Sequence, residues 1–176
     1  VLIGYAARRK GDSCAADTAR VLAAMGIKAY LFDQRVATPI GQACQGRTSP
    51  LTVVVRSTVL PGTNDHVRER VIAAAATDGH SPEIRLASNP EFMREGSSIR
   101  DLDHPPFVLT GSDDASSRTV LRSLYASVHA EVVETEIRTA EMIKYVCNCF
   151  HALKVCFGNE IADMCGALGA DAQEVM

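Results

Sequence analysis

Residues 51–76 read LTVVVRSTVLPGTNDHVRERVIAAAA, and the stretch changes its period halfway along. Its first nine residues form a β-branched apolar run, the pattern of a buried strand. The breaker Leu60-Pro61-Gly62-Thr63 ends that run. Thr63 or Asn64 is then placed to cap a helix over DHVRERVIAAAA (65–76). The alternation recurs downstream. EIRLAS (83–88) reads as a strand, and PFVLTG (106–111) as a third, followed by the Ser/Asp-capped helix DDASSRTVLRSLYASV (113–128). AEVVET (130–135) is a fourth strand. The longest helix follows, IRTAEMIKYVCNCFHALKVCF (137–157), continuing past Gly158 to EIADMCGALG (160–169). Strands alternating with helices predict an α/β fold with right-handed crossovers and a parallel sheet covered on both faces.

The first fifty residues carry a weaker pattern. VLIGYA (1–6) reads as a strand, CAADTARVLAAMG (14–26) as a helix, KAYLFDQRV (28–36) as a second strand and ATPIGQACQGRTSP (37–50) as loop. Asp33 near the end of the second strand suggests a dinucleotide fold, yet the GxGxxG turn that would hold a pyrophosphate is absent.

Composition narrows the function. With 47% apolar and 22% charged residues among 176, the chain is an ordinary globular mixture with a sizeable core. A net charge of −3 argues against a nucleic-acid footprint or a basic membrane patch. No apolar run approaches the roughly 18 residues that span a bilayer, and VLIGYAARRKGDS has its basic residues in the wrong order for a signal peptide. Of the six cysteines, Cys147, Cys149, Cys156 and Cys165 share one helical segment and read as small apolar residues; Cys14 and Cys44 lie apart. No metal-like CxxC spacing is present. Reduced thiols and a cytoplasmic setting are expected.

Three constellations can carry chemistry. In NPEFMREG (89–96), Asn89 and Pro90 suit a helix start, which sets Glu91 and Glu95 one turn apart on one face. They serve either as carboxylates at the positive end of a helix dipole, or as a base and a ligand acceptor at the carboxyl edge of a parallel sheet. In RSTVLPGT (56–63), Ser57 and Thr58 reach the same edge, to cap the turn or to bind a ligand. On the long helix Glu141, Lys144, Asn148 and His151 form one stripe between large apolar residues. That stripe is either the helix's wet face or a polar seam lining a cleft. In the second case Lys144 supplies positive charge to a developing oxyanion.

Taken together, VVVRSTVLPGT, SNPEFMREGSSIRDLDHPPFVLTG and AEMIKYVCNCFHALKVCFGNEIADMCGALGADAQEVM resemble the UDP-glucose/GDP-mannose 6-dehydrogenase family over about residues 52–176. RSTVLPGT, Pro105-Pro106 and the histidine of NCFHALK look like its GDP-mannose branch. The resemblance implies a partial Rossmann-like NAD-binding domain over 1–135 and the start of a central helical dimerisation domain over 136–176. It also implies an NAD-dependent four-electron oxidation of GDP-mannose, or of UDP-glucose, to the uronate through a cysteine thioester, in a homodimer joined through the central helix. Residue by residue it makes Thr58 a contact near nicotinamide and the catalytic water, and Glu91 the base for thioester hydrolysis. Glu95 becomes a contact on the nicotinamide side and with the substrate, and the backbone of Phe92, Met93 and Arg94 a wall of the sugar pocket. Lys144 and Asn148 match the pair that stabilises the oxyanion and orients the sugar, and His151 a further sugar contact.

The departures bear on what to expect. None of the six cysteines has the family's Gly-Gly-Ser-Cys-like context, and the Gly-rich N-terminal unit is missing. Residues 1–26 align without gaps to a later strand, loop and helix of the family, with Gly4 and Gly11 matching and Tyr5-Ala6 in place of Thr-Pro. Residues 27–51 are then longer than the family's connection. In the other register, residues 1–36 match the family's C-terminal Rossmann-like half. The expectation is an interior piece of such an enzyme, without full activity by itself; a non-catalytic binding or oligomerisation module is the rival.

Overall fold

The computed structural model describes residues 2–3, 30–31, 37–76, 81–94 and 96–176. Expectations for the helix at 14–26, and for most of the strands at 1–6 and 28–36, lie outside those residues. What is described there is a short parallel pair, β1 (Leu2–Ile3) beside β2 (Tyr30–Leu31). The remainder runs α1 (Ala37–Ala43), β3 (Leu51–Val55), α2 (Thr63–Ala75), β4 (Ile84–Ser88), α3 (Ser98–Asp103) and β5 (Phe107–Ser112). It continues with α4 (Ala115–Leu124), β6 (Glu131–Thr135), α5 (Ile137–Leu168) and α6 (Ala172–Val175). All four strands expected between residues 51 and 135 are present, as are the three longer helices. Asp114 caps α4 as the sequence suggests, accepting from Ser117 N at 2.8 Å.

The main sheet has the order β3-β4-β5-β6. Leu51–Val55 lies parallel to Ile84–Ser88, and Phe107–Gly111 parallel to Glu131–Thr135. The expectation of a wholly parallel sheet fails at its centre, where β4 and β5 pair antiparallel through Ala87↔Ser112 and Ser88↔Gly111. A parallel return needs a connection that crosses a face of the sheet, usually on a helix. Among the described residues between β4 and β5 the only helix is the six-residue α3, so the chain re-enters from the edge at which it left. The antiparallel register carried forward sets Phe92 opposite Phe107, and their rings lie 4.7 Å apart.

A second correction concerns residues 37–50, which open with the seven-residue α1 rather than loop. So short a helix is unstable alone and depends on packing. It packs on the alanine-rich face of α2, so closely that a Cβ on Gly41 would lie 2.4 Å from Val71 O and 2.6 Å from Ala74 Cβ. Ile40 and Cys44 thereby join Val53, Val71, Ala75, Ile84, Leu86 and Ile137 in one apolar cluster.

Neither Thr63 nor Asn64 caps α2. Its N-cap is Gly62, at φ 93°, a left-handed conformation that glycine adopts without strain. The cap itself arrives from a residue 77 positions away. The fully buried carboxylate of Glu141, on α5, accepts from Gly62 N at 2.7 Å, Asn64 N at 2.8 Å and Asn64 Nδ2 at 2.7 Å. Negative charge at the positive end of a helix is favourable, and three donors replace the lost water. The same helix seats Ala140 against Gly111, where a Cβ would lie 2.6 Å from Ala140 Cβ. Glu141→Ala strands those donors and is expected to cost about 3 kcal/mol, whereas Glu141→Gln, which keeps one acceptor, costs about half as much. Urea unfolding followed by circular dichroism checks both; equal midpoints for the three proteins contradict the cap.

Candidate active site

The ends of β3 and β4 and the start of β5 share one edge of the sheet, and α5 passes over it. Ile137, Ala140, Glu141 and Lys144 fall at helical spacing and are the buried residues of the first turns of α5. This face lies against β4 and β5, and it delivers Lys144 beside the segment that follows β4. There Lys144 Nζ sits 4.8 Å from the centre of the Phe92 ring and 3.9 Å from Glu91 Oε1. A buried ammonium is costly to desolvate, and the ring face and the carboxylate offset that cost. At 3.9 Å the pair is longer than a hydrogen bond, and among the described residues none is made to Lys144 Nζ. Its protons remain available to a ligand oxygen.

Glu91 is not helical. Residues 89–94 have no regular structure, so Asn89 and Pro90 do not open a helix. Glu95 itself lies outside the described residues. Glu91 Oε2 accepts from Met93 N at 2.7 Å, which folds the carboxylate back over its own turn and leaves Oε1 toward Lys144. The buried Asn89 is an anchor rather than a cap. Its backbone N donates to Val55 O at 2.9 Å and its Nδ2 to Leu109 O at 2.8 Å, while its Oδ1 accepts from Arg56 Nη1 and Tyr125 Oη. One side chain thus ties the exits of β3 and β4 to β5 and to the end of α4. Pro90, buried beside it, stiffens the departure.

A cavity of about 40 Å³ lies beneath this segment, lined by Glu91, Phe92 and Met93 on one side and by Arg56, Pro105 and Tyr125 on the other. Thr58 is half-buried in the loop after β3, on the same edge. Asn148 and His151 are exposed on α5. The expected polar seam is therefore divided: Glu141 and Lys144 are buried on the sheet, whereas Asn148 and His151 lie where the helix has passed it. The large apolar residues that flank the stripe are left uncovered for the same reason. From Tyr145 to Met164 no residue is buried, and Phe150 and Leu153 are 59% and 64% exposed. Cys147, Cys149 and Cys156 are exposed too, while Cys44 and Cys165 are buried. Burial pushes the Cys44 thiol above its ordinary range.

The structure adds Asn89, Arg56, Tyr125, Glu141 and Asp101 to the neighbourhood of the site. Asp101 accepts from Arg94 N, Nε and Nη2 and from Ser97 Oγ. Of these, Glu141 had a signal in the sequence as a member of the helical stripe, and Asn89 had one as a helix start, a role it does not play.

Comparison with known proteins decides the family. Residues 30–129 match the NAD binding domain of the UDP-glucose/GDP-mannose dehydrogenase family, and residues 138–176 match its central domain. The chain belongs to this family. GDP-mannose 6-dehydrogenase of Pseudomonas savastanoi pv. phaseolicola is 41% identical over 145 residues, covering 82% of this chain and 33% of the relative. A UDP-glucose 6-dehydrogenase of Bacillus subtilis is 41% identical over 123 residues, covering 70% and 27%. Among solved structures, a ternary complex of GDP-mannose dehydrogenase from Pseudomonas aeruginosa superposes with a TM-score of 0.73 at 38% identity, covering 80% of this chain and 32% of that one. A UDP-glucose dehydrogenase from the archaeon Pyrobaculum islandicum gives 0.73 at 36%, covering 79% and 32%. The chain thus spans about a third of the length of these dehydrogenases. Residues 1–29 lie outside both matched family regions.

Among the described residues three carboxylates lie below their ordinary range, Asp101, Asp114 and Glu134; for Asp114, burial acts upward and the hydrogen bonds from Ser117 outweigh it. Side-chain and backbone hydrogen bonds from Arg94 hold Asp101 well below the ordinary carboxylate range, and the Arg122 guanidinium does the same, less strongly, for Glu134. A carboxyl group lowered on folding adds stability above its unfolded pKa, ~3.9 for Asp, and loses that contribution as pH falls. The melting temperature of the chain is therefore expected to exceed that of Asp101→Asn most clearly above about pH 5, with the gap closing toward pH 2. A gap independent of pH contradicts the assignment.

Proposed function

We propose that this chain forms part of an NAD-dependent nucleotide-sugar 6-dehydrogenase acting on GDP-mannose. The observation that carries the reading is the Glu91–Lys144 pair, a carboxylate and a buried ammonium 3.9 Å apart at the carboxyl edge of the sheet. Such edges are where open α/β sheets bind ligands. Lys144 offers a fixed positive charge to an oxyanion developing at the sugar C6, in a site where burial strengthens it. Glu91, partly open to solvent, takes the proton of a water attacking the acyl group of a cysteine thioester. Asn148 and His151, further along α5, hydrogen-bond the sugar, and the backbone of Phe92, Met93 and Arg94 walls it.

The chemistry at the exit of β3 suits a nicotinamide: Ser57 and Thr58 carry two hydroxyls just after Val55, whose carbonyl accepts from Asn89 N at the start of the Glu91 segment. Thr58, with Glu95, would hold that end of NAD, whose role when bound is to accept a hydride in each of two oxidations at C6. Residues 1–135 belong, on this reading, to the NAD-binding domain and residues 136–176 to the central domain. Among the described residues no helix is long and apolar enough to cross a membrane and no cluster could hold a metal ion. A cytoplasmic setting is proposed because the cysteines read as reduced, structural thiols.

GDP-mannose is preferred because RSTVLPGT, Pro105-Pro106 and His151 look like that branch; relatives at 41% identity carry both substrate names. Steady-state NADH formation by the enzyme carrying this chain, with GDP-mannose or UDP-glucose as substrate, tests the reading. Lys144→Ala is expected to lower kcat about 10²–10³-fold, and Glu91→Gln about 10²–10⁴-fold. Full turnover in either variant removes the pair from the chemistry, and preference for UDP-glucose reassigns the substrate.

The apolar stripe Val146, Phe150, Leu153 and Phe157 recurs at helical spacing on the exposed length of α5. We infer that a second copy covers it in a homodimer. Sedimentation velocity is expected to show a dimer, and the double variant Phe150→Glu/Leu153→Glu a monomer; a monomeric parent chain at ~50 μM, well above ordinary dimer Kd values, contradicts the inference.

A further inference from the structure

The segment Glu91–Arg94 has no helix or strand to hold it, so something else must keep Glu91 within reach of Lys144. Its upstream end is fixed by the buried Asn89 and Pro90. Its downstream end meets Asp101, on α3, whose carboxylate is only 9% exposed and collects four hydrogen bonds. Oδ2 accepts from Arg94 N at 2.9 Å, Arg94 Nε at 3.1 Å and Ser97 Oγ at 3.0 Å, and Oδ1 accepts from Arg94 Nη2 at 2.7 Å.

These contacts are not equivalent. The Arg94 side chain is 77% exposed, so water and salt compete for its guanidinium and the ion pair is weak. The backbone N–H points at a nearly buried charged acceptor, and such bonds are among the stronger ones in proteins. It also acts directly on the main chain three residues after Glu91.

We propose that Asp101 is a positioning residue for the candidate active site, acting through the backbone N–H of Arg94 to hold the Glu91–Arg94 segment on β5. The inference rests on the reading of Glu91 and Lys144 as the reacting pair. Held in this way, the Phe92 ring stays against Phe107 and beneath Lys144 Nζ, and Glu91 Oε1 faces the ammonium. The guanidinium pairing has a lesser part, keeping Arg94 turned toward Asp101.

Hydrogen exchange on the 176-residue chain tests the clamp without any ligand. Asp101→Asn is expected to speed exchange of the residue-94 amide about tenfold or more, the loss of one charge-assisted hydrogen bond, while the amides of Ile84–Ser88 stay as protected as before. Arg94→Ala keeps the backbone donor and is expected to leave that amide within about threefold of the parent. Should Asp101→Asn fail to fold, Asp101→Ser, too short to reach Arg94 N, replaces it. Unchanged exchange in the Asp101 variants, or equal loss of protection in Arg94→Ala, overturns the proposal. GDP-mannose titrated into the enzyme carrying this chain and into its Asp101→Asn variant adds a functional readout: binding weakened about tenfold by the substitution supports positioning. Equal affinity in the two overturns it. If that enzyme binds no GDP-mannose, the substrate reading fails by itself, and the exchange pattern still decides the clamp.

Discussion

The carboxylate of Glu141 is the contact on which the site depends. It is buried, charged, and enclosed by the first turn of α2, where Gly62 N, Asn64 N and Asn64 Nδ2 all point at it. A buried charge tolerates few positions, because moving it by an ångström strands either the carboxylate or its donors. The bond therefore sets both the rotation and the axial position of α5. One turn further along the helix, that rotation puts Lys144 over Phe92 rather than into solvent. Ala140 against Gly111 supplies the steric half of the same constraint, allowing the helix to approach β5 closely.

The other partner of the site is placed by the antiparallel junction between β4 and β5. Because β5 returns from the edge at which β4 ends, the segment after Ser88 runs beside a strand instead of crossing a face of the sheet. Asn89 makes the junction specific. Its amide donates to a carbonyl of β5 while its oxygen receives Arg56 and Tyr125, so a single side chain sets where β3, β4, β5 and α4 meet. An irregular segment held at both ends by buried polar groups can present Glu91 as a helix would, with a directness that helical geometry does not offer at a sheet edge. The helix beyond Lys144 is the opposite case. Its apolar surface has no cover among the described residues for twenty positions, and most of residues 145–164 are of middling helix propensity, so the backbone hydrogen bonds alone hold it there.

Much of this was legible in the residues. The β-branched run from Leu51, the Asp114 cap and the uninterrupted length of α5 each have a local physical cause, and each element is present, although β3 ends at Val55, four residues before the run does. Glu91 and Lys144 were also legible, as an acidic residue after a strand and a cation on a helical stripe. Other features were not, because their causes are non-local. α1 exists only because Gly41 lies on the alanine face of α2, and the same letters without that face read as loop. The cap of α2 comes from a residue far along the chain, so Thr63 and Asn64, both good capping residues, misdirect a local reading. The helical start expected at Asn89 fails because its amide is engaged by β5, Arg56 and Tyr125.

The sequence by itself determined the element types, their order, the length of the central helix and the family to which the chain belongs, since periodicity, breakers and motif strings act over a few residues and survive as local patterns. The tertiary structure alone decided that β5 runs against β4, that Glu141 is a cap rather than a ligand, and that the helical stripe divides into a buried Lys144 and an exposed Asn148 and His151. Those outcomes depend on which buried donors meet which acceptors across the fold. A hydrogen bond between residues 77 positions apart leaves no period in the chain.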